Sequence, residues 1–376
     1  MSYRILVINW QDIRNPLSGG AEVHLHEIFK RVARRGHHIT LLCCGHQELP
    51  GEEVIDNIQV IRRGNRNIFN YLVPFLYHNL SRQTKYDVVI DDINKIPFYS
   101  PLYVKQPLIG IVHHLFGSSI FIESTLPVAL YVLLAEKLIP SIYRNIPLAV
   151  VSNSTKNELI RKGIPEQNIH LIPNAVDQFA YQVIPDKKSS TPLVGYLGRV
   201  KKYKSIDHLI MAFAEVHRQI PQAKLLIVGD GDYLVDLKKL VSRLQLSQVV
   251  TFAGAAFQKQ KVDFLNQMWF MVNPSPKEGW GLTVIEANAC GVPVIAADSP
   301  GLRDSVVAGE TGLFYSYGDY HRLAELIIQL IEQPKLRNSL AQKSIEWARQ
   351  FNWDDSATKM LTLIENVLSR RKTNVQ

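Results

Sequence analysis

Residues 268–293 constrain the fold most strongly, because they prescribe a strand, a glycine loop and a helix in immediate succession. Residues 268–272 are continuously apolar and stop at Asn273-Pro274, which is typical of a buried strand that ends at a turn. Gly279 and Gly281 follow, and glycine allows positive φ or a close approach of the backbone to a ligand. Residues 283–290 then predict a helix. This succession indicates an α/β protein.

Two acidic residues accompany this helix. Glu278 lies in the loop before it and Glu286 lies inside it. The free amides at the helix start, near Leu282 and Thr283, form an anion site. Two carboxylates that flank an anion site fit a ligand with hydroxyls at both ends and phosphate in the middle, such as a nucleotide sugar. Acids that cap an ordinary helix give the same pattern, so both interpretations stay open.

A longer motif surrounds these acids and resembles the signature of the large family 4 of retaining glycosyltransferases, which adopt the GT-B fold. The matching residues are Pro276, Glu278-Gly279, Gly281-Leu282, Glu286-Ala287, Ala289, Gly291 and Pro293-Val294. The resemblance implies two Rossmann-like βαβ domains that face a central cleft, with helices at the C-terminus. It also implies transfer of a sugar from a nucleotide diphosphate sugar with retention at the anomeric carbon. Glu278 would hold sugar hydroxyls, and Glu286 the ribose hydroxyls.

Length and composition agree with a two-domain globular enzyme. The chain has 376 residues, which is long for one core. Its net charge of +8 is spread over both halves, so no nucleic-acid-binding arm stands out. The three cysteines, of which Cys43 and Cys44 are adjacent, argue against a disulfide framework and have no metal-ligand spacing. The first residues turn polar too soon for a signal peptide, and the longest apolar run, 126–135, covers about half a membrane span. We expect a cytoplasmic protein, with peripheral contact to the inner face of a membrane left open.

The chain begins with a βαβ pattern: a strand over 4–9, a helix over 23–35 and a strand over 38–43. Gly19-Gly20 at the helix start could cradle a phosphate. The pair lacks the three-glycine fingerprint of dinucleotide binding, so NAD is not expected. The resemblance places these glycines in donor binding, across the cleft from the diphosphate. A helix N-cap turn explains them equally well.

A strand predicted over 108–113 ends in His113-His114. Ligands of open α/β sheets bind at the carboxyl ends of strands, and adjacent strand residues point in opposite directions, so only one histidine should enter the cleft. The resemblance implies a histidine that contacts the transferred sugar, and His113 is the better match, with His114 open. Asp91-Asp92 follow another predicted strand, and we expect this acid pair to be solvated rather than to bind a metal.

Residues 115–145 contain the longest apolar run of the chain. We favour a core helix with an exposed loop. The alternative is an acceptor-site or membrane-surface element that meets a lipid-linked substrate. Several arginines would support membrane docking if they share a face: Arg31, Arg34, Arg35, Arg62, Arg63 and Arg66.

Residues 173–177 resemble the hinge sequence of the family, with Ala175 where glycine is usual. A polar, proline-marked segment follows, so we predict domains over 1–180 and 190–376. Helices are predicted over 318–332, 335–350 and 354–371. By resemblance, the C-terminal helices pack back toward the first domain.

The second predicted domain starts with a strand over 193–197, followed by Arg199 and Lys204. Their pattern alone favours a solvated basic loop. The resemblance places an arginine and a lysine at these spacings, where they clamp the diphosphate. Ser205 stands where the family usually has glycine, which leaves the loop geometry open.

Asp230-Gly231-Asp232 spells the Asp-x-Asp pattern of metal-dependent glycosyltransferases of another fold. We reject a metal there, because the resemblance implies that Arg199 and Lys204 neutralise the diphosphate and a metal would duplicate that charge. No cofactor beyond the donor substrate is expected.

The sequence therefore predicts a metal-independent retaining glycosyltransferase that acts on a glycan, a lipid-linked or a small-molecule acceptor. His113, Glu278, Arg199 and Lys204 are the candidate catalytic residues. Gly19, Gly20, Gly281, Leu282, Thr283 and Glu286 complete the predicted donor site. Two alternatives remain, a non-catalytic nucleotide-sugar-binding protein and a sugar-nucleotide epimerase on the same fold.

Overall fold

The computed structural model describes residues 2–94 and 96–373. The chain forms two compact units, one that ends at Asn174 and resumes at Trp353, and one from Ala175 to Asn352. The sequence predicts domains over 1–180 and 190–376. The structure divides the chain slightly earlier, inside the predicted hinge sequence, and gives the last helix to the first unit. Residues 1 and 374–376, at the outer ends of the predicted domains, lie outside the described residues.

The first unit is a doubly wound sheet of eight strands in the order β3-β4-β2-β1-β5-β6-β7-β8. Its elements are β1 (Arg4–Ile8), α1 (Gly20–Arg34), β2 (His38–Cys44), β3 (Glu52–Ile55), β4 (Ile58–Arg63), α2 (Phe69–Gln83), β5 (Val88–Ile93), β6 (Leu108–Val112), α3 (Ile120–Glu123), α4 (Leu126–Ile142), β7 (Leu148–Val150), α5 (Asn153–Arg161), β8 (Ile169–Leu171) and a C-terminal helix (Trp353–Thr373). All strand pairs are parallel except β3 with β4. The apolar strands are buried because helices cover both faces of a parallel sheet.

The antiparallel hairpin of β3 and β4 was not anticipated from the sequence. Asp56 and Asn57 connect the two strands with φ of 49° and 67°, and Ile55 pairs directly with Ile58. Two-residue turns with positive φ match the twist of the flanking strands and favour Asn and Asp. The Asp-Asn pair was therefore a usable hairpin signal.

The second unit holds a six-stranded, fully parallel sheet in the order β11-β10-β9-β12-β13-β14. Its elements are β9 (Leu193–Leu197), α6 (Ile206–Gln219), β10 (Lys224–Val228), α7 (Leu234–Arg243), β11 (Val250–Gly254), α8 (Gln258–Gln267), β12 (Phe270–Asn273), α9 (Leu282–Ala289), β13 (Val294–Ala297), α10 (Leu302–Ser305), β14 (Gly312–Tyr315), α11 (Tyr320–Glu332) and α12 (Pro334–Ala348). The C-terminal helix Trp353–Thr373, named α13 from here on, completes the numbering.

The last helix belongs to the first unit through its contacts with α1. Trp353 packs its ring against His24, with ring centroids 6.0 Å apart. Arg31 lies 3.3 Å from the Asp354 carboxylate, and Arg35 donates to the Asp354 carbonyl at 3.2 Å. A helix remote in sequence thus covers α1 on the outer side of the first sheet.

Each sheet has one position where the strand order reverses. In the first unit the chain winds outward from β1 to β2 and β4, then returns to β5 on the other side of β1. In the second unit it winds from β9 to β10 and β11, then returns to β12. Ligands of open α/β sheets bind beside the carboxyl ends of strands at such switch points. The loops after β1, β5, β9 and β12 are therefore the candidate site segments.

Candidate functional site

The loop after β9 carries Arg199 and Lys204 and is supported by two glycines that follow β10. A Cβ atom at Gly229 would lie 1.8 Å from the Gly198 carbonyl oxygen, and one at Gly231 would lie 2.2 Å from the Val200 carbonyl oxygen. Val200 donates its amide to the Asp230 carbonyl at 2.9 Å. A side chain at either glycine would push the two loops apart. The close contact at these glycines therefore fixes the position of the loop that carries Arg199 and Lys204.

Ser205 ends this loop in the left-handed conformation, with φ 52° and ψ 39°. This is the backbone region that glycine favours. The Ser205 hydroxyl lies 3.0 Å from the Tyr317 hydroxyl, within hydrogen-bond distance. The departure from the family's usual glycine therefore leaves a glycine-like turn at this position.

Lys204 and Glu278 form an ion pair between the loops after β9 and β12. Lys204 Nζ donates to Glu278 Oε1 at 2.5 Å, and the two side chains are 12% and 14% exposed. Burial alone lowers the pKa of Lys204, but the Glu278 carboxylate outweighs burial and raises that pKa above its usual value. Lys204 is thus a permanent cation at the switch point. Arg199 is exposed and donates to the Tyr203 hydroxyl at 3.0 Å.

The loop after β13 contacts the backbone of Glu278 and fixes its position. A Cβ atom at Gly301 would lie 2.2 Å from the Glu278 carbonyl oxygen, and the Glu278 amide donates to the Pro300 carbonyl at 3.3 Å. Ser299 donates its hydroxyl to the Ser275 carbonyl at 2.9 Å. The sequence predicted only a turn here. Its supporting role could be found only from the pairing of β12 with β13.

Gly281 begins α9 with φ 85° and ψ 58°, again a left-handed conformation. A Cβ atom there would also meet the Ser305 hydroxyl at 2.9 Å. Backbone strain and packing both require glycine. The amides of Leu282 and Thr283 stand at the first turn of α9, where helix amides have no intrahelical acceptor. Their anion-binding role stays a prediction.

Glu286 lies inside α9 and is 6% exposed. Its Oε1 accepts from the Tyr181 hydroxyl at 2.9 Å and lies 3.6 Å from Lys261 Nζ. Its Oε2 is buried and has no hydrogen-bond partner among the described residues. Buried polar atoms are normally bonded, so an unpartnered carboxylate oxygen is an open acceptor for a hydroxyl. Tyr181 and Lys261 are not predicted from the sequence, because they lie too far from Glu286 along the chain to give a local signal.

In the first unit, His113 follows β6 and pairs with Asp92 of β5. His113 Nε2 lies 3.0 Å from Asp92 Oδ1 and 3.2 Å from Oδ2, and the Thr155 hydroxyl donates to the His113 carbonyl at 3.1 Å. Burial lowers the pKa of His113, but the Asp92 carboxylate prevails and raises it above its usual value. His24 packs edge-on against His113 at 5.2 Å. Burial and the charge of His113 lower the pKa of His24 to about 3, so His24 stays neutral.

The expectation that Asp91 and Asp92 are solvated is wrong. Both are 0% exposed, because β5 continues to Ile93 and carries them into the sheet. Asp91 accepts hydrogen bonds from the hydroxyls of Ser100 and Tyr143. Burial raises the pKa of Asp91 to about 6, in spite of those bonds. This pair anchors the carboxyl edge of the sheet.

Gly19 and Gly20 lie at the start of α1, after β1. The Gly19 amide donates to Glu22 at 2.7 Å, which is the helix-capping arrangement. The other Glu22 oxygen accepts from Asn94 at 3.0 Å. A Cβ atom at Gly20 would meet nothing within 4 Å, so packing does not require this glycine. The structure therefore contains the cap, and the donor-binding role of both glycines remains a prediction.

His114, which was left as an alternative, and the acids of the rejected metal motif, Asp230 and Asp232, have other surroundings. His114 is half-buried, with its ring 4.7 Å from Phe116. Asp232 pairs with Lys201 at 2.6 Å, and Asp230 accepts the amide of Gly231 at 2.7 Å. Over residues 2–94 and 96–373, no group of at least three His, Cys, Asp or Glu side chains is arranged to hold a metal ion.

Comparison with known families identifies both units. The family model described as "Glycosyltransferase Family 4" matches residues 18–178, and the one described as "Glycosyl transferases group 1" matches residues 177–347. Together they cover the candidate loops after β5, β9 and β12 and the last residues of the loop after β1. The chain belongs to glycosyltransferase family 4.

Individual relatives agree with this membership. N-acetyl-alpha-D-glucosaminyl L-malate synthase from Bacillus anthracis is 26% identical over 94% of this chain and 95% of that protein. Other curated relatives, such as a D-inositol 3-phosphate glycosyltransferase from Frankia alni, match over roughly half of their length. These names do not favour the epimerase or binding-protein alternatives.

Solved structures show that this glycosyltransferase has the predicted GT-B fold. Sucrose-phosphate synthase from Thermosynechococcus elongatus superposes with a TM-score of 0.84 over 98% of this chain and all of that one, at 23% identity. Anabaena HepE, solved in complex with UDP-glucose, has a TM-score of 0.76 over 99% of this chain and 100% of that one, at 19% identity. In the described part of this glycosyltransferase, no helix is long and apolar enough to cross a membrane.

Proposed function

We propose that this glycosyltransferase moves a sugar from a nucleotide diphosphate sugar to a glycan, lipid-linked or small-molecule acceptor, with retention and without a metal ion. The observation that carries the proposal is the charge arrangement of the second unit. A buried cation, Lys204, and a buried carboxylate with a free oxygen, Glu286, both lie near the switch point. That pattern suits diphosphate and ribose in one ligand.

The diphosphate gains negative charge as it leaves the sugar. Lys204, Arg199 and the first amides of α9 supply positive charge to it, and preorganised donors of this kind can lower a barrier by about 3 kcal/mol. Because these groups carry that charge, the reaction needs no metal. We assign no nucleophilic side chain. Retention follows when the acceptor attacks from the face that the diphosphate leaves.

Glu278 and Glu286 have different roles in this proposal. Glu286 accepts from ribose hydroxyls through its unpartnered Oε2. Glu278 binds hydroxyls of the transferred sugar and steadies positive charge at its anomeric carbon. His113 of the first unit keeps the sugar-contacting role that the resemblance gives it. Gly19, Gly20, Gly281, Leu282 and Thr283 keep their predicted place in donor binding.

The first test measures thermal stability with UDP-, GDP- and ADP-sugars in the presence of EDTA. One nucleotide class should raise the melting temperature, because a ligand of the folded state stabilises it by mass action. Lys204→Met and Glu286→Gln should abolish the shift. Lys202→Met is the matched control, since Lys202 is an exposed lysine in the same turn. A shift that appears only after Mn²⁺ is added contradicts metal independence.

The second test is the turnover of Glu278→Gln, measured as acceptor-dependent release of the nucleoside diphosphate. We expect kcat to fall about a hundredfold while the protein stays folded. Glu310→Gln, an exposed acid of the same unit, should leave turnover unchanged. Turnover in folded Glu278→Gln within a factor of about two of wild type would overturn the role of this residue.

A further inference from the structure

The first unit exposes an apolar surface on α4. The side of α4 that faces the sheet buries Ala129, Val132 and Ile139. The opposite side is also apolar, and Leu134 there is 59% and Leu138 49% exposed. A helix that is apolar on all sides is normally buried, so the outer side of α4 lacks a partner within the described chain.

This exposed surface continues onto α2. Tyr71 and Phe75, one turn apart, are 67% and 64% exposed. The Tyr71 hydroxyl lies 3.0 Å from the hydroxyl of Tyr131 on α4, and Asn70 donates to Tyr131 at 3.2 Å. The two helices therefore touch at these tyrosines. Their outer sides form a single surface, called the α2–α4 surface here.

Exposed apolar residues are distributed unequally over the chain. In the second unit the large exposed apolar side chains are Phe179, Val183, Val235, Phe257 and Tyr317, and apart from Phe179 and Val183 they are far apart in sequence. On α4 alone, Leu126, Leu130, Leu134 and Leu138 expose one helical stripe. Scattered apolar residues need no explanation, whereas a contiguous patch indicates an interaction surface.

The exposed charges on α2 and α4 themselves are of one sign. Residues 57–86 contain no acid, and residues 124–157 contain only Glu136. Glu136 is buried, and its oxygens accept the amides of Phe116 and Gly117. Lys137 is exposed beside Leu134 and Leu138, and Arg82 lies on the same stripe of α2 as Phe75. Among the described side chains, the outer sides of α2 and α4 thus present apolar residues and exposed cations, and no acid.

We propose that the α2–α4 surface docks on an anionic lipid bilayer. Leucine and aromatic side chains enter the boundary between headgroups and acyl chains, while Lys137 and Arg82 face lipid phosphates. Three of the arginines singled out from the sequence are bonded to acids instead. Arg62 is 1% exposed and bonded to Asp12, Arg31 is bonded to Glu27, and Arg63 to Glu52.

This proposal extends beyond the transfer reaction and predicts binding without donor or acceptor. The test is co-sedimentation of the full chain with phosphatidylcholine vesicles, with and without phosphatidylglycerol, at low and high salt. We expect binding that requires phosphatidylglycerol and weakens at high salt. Absence of binding to the anionic vesicles overturns the proposal.

Variants distinguish binding through the α2–α4 surface from nonspecific binding of the protein to vesicles. The double variant Leu134→Gln/Leu138→Gln should weaken vesicle affinity about tenfold or more, and Lys137→Gln about fivefold. Val235→Gln and Lys335→Gln change exposed residues of the same kinds in the second unit, and should bind like wild type. Equal binding of all variants contradicts the assigned surface.

A second copy of the chain is the competing occupant. Sedimentation velocity without lipid detects it as a concentration-dependent dimer that Leu134→Gln/Leu138→Gln abolishes. That result, combined with no vesicle binding, overturns the membrane proposal. The melting temperature and the donor-induced shift of each variant establish folding and keep this test separate from that of the transfer reaction.

Discussion

The two units place charged side chains at their switch points in different ways. In the first unit the acids are bonded to partners within the unit: Asp92 to His113, Asp91 through Oδ2 to Ser100 and Tyr143, and Glu22 to Asn94 and the Gly19 amide. Asp91 Oδ1 has no hydrogen-bond partner among the described residues. In the second unit Lys204 is an ion-paired cation, and Glu286 keeps an unpartnered oxygen.

This difference distinguishes polar groups that stabilise the fold from polar groups that are available to a ligand. A buried charge that is fully bonded rigidifies its loop and has little left to offer a ligand. A buried acceptor without a partner is costly for the folded chain unless a ligand satisfies it. Asp91 Oδ1 is such an acceptor too, but Asp91 is 0% exposed, whereas Glu286 is 6% exposed. The second unit therefore carries the stronger evidence for donor binding, and the first unit supplies a rigid edge. The following predictions test that contrast.

The largest effect is expected at the buried ion pair of Asp12, in the loop after β1, with Arg62 of β4. Arg62 donates to both Asp12 oxygens at 2.7 and 2.8 Å, and both side chains are 1% exposed. Asp12→Ala leaves Arg62 buried with one fewer counter-ion. We expect a loss of about 3 kcal/mol in the free energy of unfolding, measured by urea denaturation.

Glu52→Ala is the control for this variant. Glu52 pairs with Arg63 on the surface, where an ion pair contributes less than about 1 kcal/mol. Equal losses in Asp12→Ala and Glu52→Ala would show that burial does not distinguish the two pairs.

The next effect concerns pH. The pKa of His113 is raised by Asp92 above its usual value of 6.5. A base whose pKa rises on folding stabilises the protein below its unfolded pKa and loses this contribution as pH rises through the folded pKa. The stability difference between wild type and His113→Gln should therefore be largest below pH 6.5 and shrink as pH increases. Urea denaturation across a pH series measures it.

Asp92→Asn provides the matched comparison for the His113 pair. Asn removes the carboxylate and keeps the shape of the side chain. In the Asp92→Asn background, the loss of stability caused by His113→Gln should therefore no longer depend on pH. If the difference in unfolding free energy between wild type and His113→Gln does not change with pH, His113 is not the titrating group.

The smallest effect is expected at Glu286. Tyr181→Phe removes the hydroxyl that donates to Glu286 Oε1 but keeps the ring. One hydrogen bond contributes about 1 kcal/mol, so the KM for the donor should rise about fivefold with little change in kcat. Tyr320→Phe, on α11, should leave KM unchanged. A fall in kcat without a change in KM would place Tyr181 in the chemical step instead.

Local signals in the sequence predicted much of the site. The apolar run before Asn273, the glycines at 279 and 281 and the helix after them fold as the pattern indicated. Such signals work because each residue's backbone preference acts within a few neighbours. The strand before Arg199 was predicted for the same reason.

Contacts between segments that are distant in sequence could not be predicted from local sequence patterns. The bond from Tyr181 to Glu286 joins residues 105 positions apart. The support of Glu278 by Gly301 depends on β12 lying next to β13. The burial of Asp91 and Asp92 depends on how far β5 extends, and strand ends are the least predictable feature of a sequence.

The sequence by itself determined the alternation of strands and helices, the glycine turns and the positions of Arg199, Lys204, Glu278 and Glu286, because these follow from local periodicity and from a contiguous motif. Only the tertiary structure decided which charges are bonded and which are open. Lys204 and Glu278 are 74 positions apart, and only sheet topology brings them to one edge. The exposure of α4 was decided in the same way, because a helix that is apolar on every side has no preferred buried face until the sheet provides one.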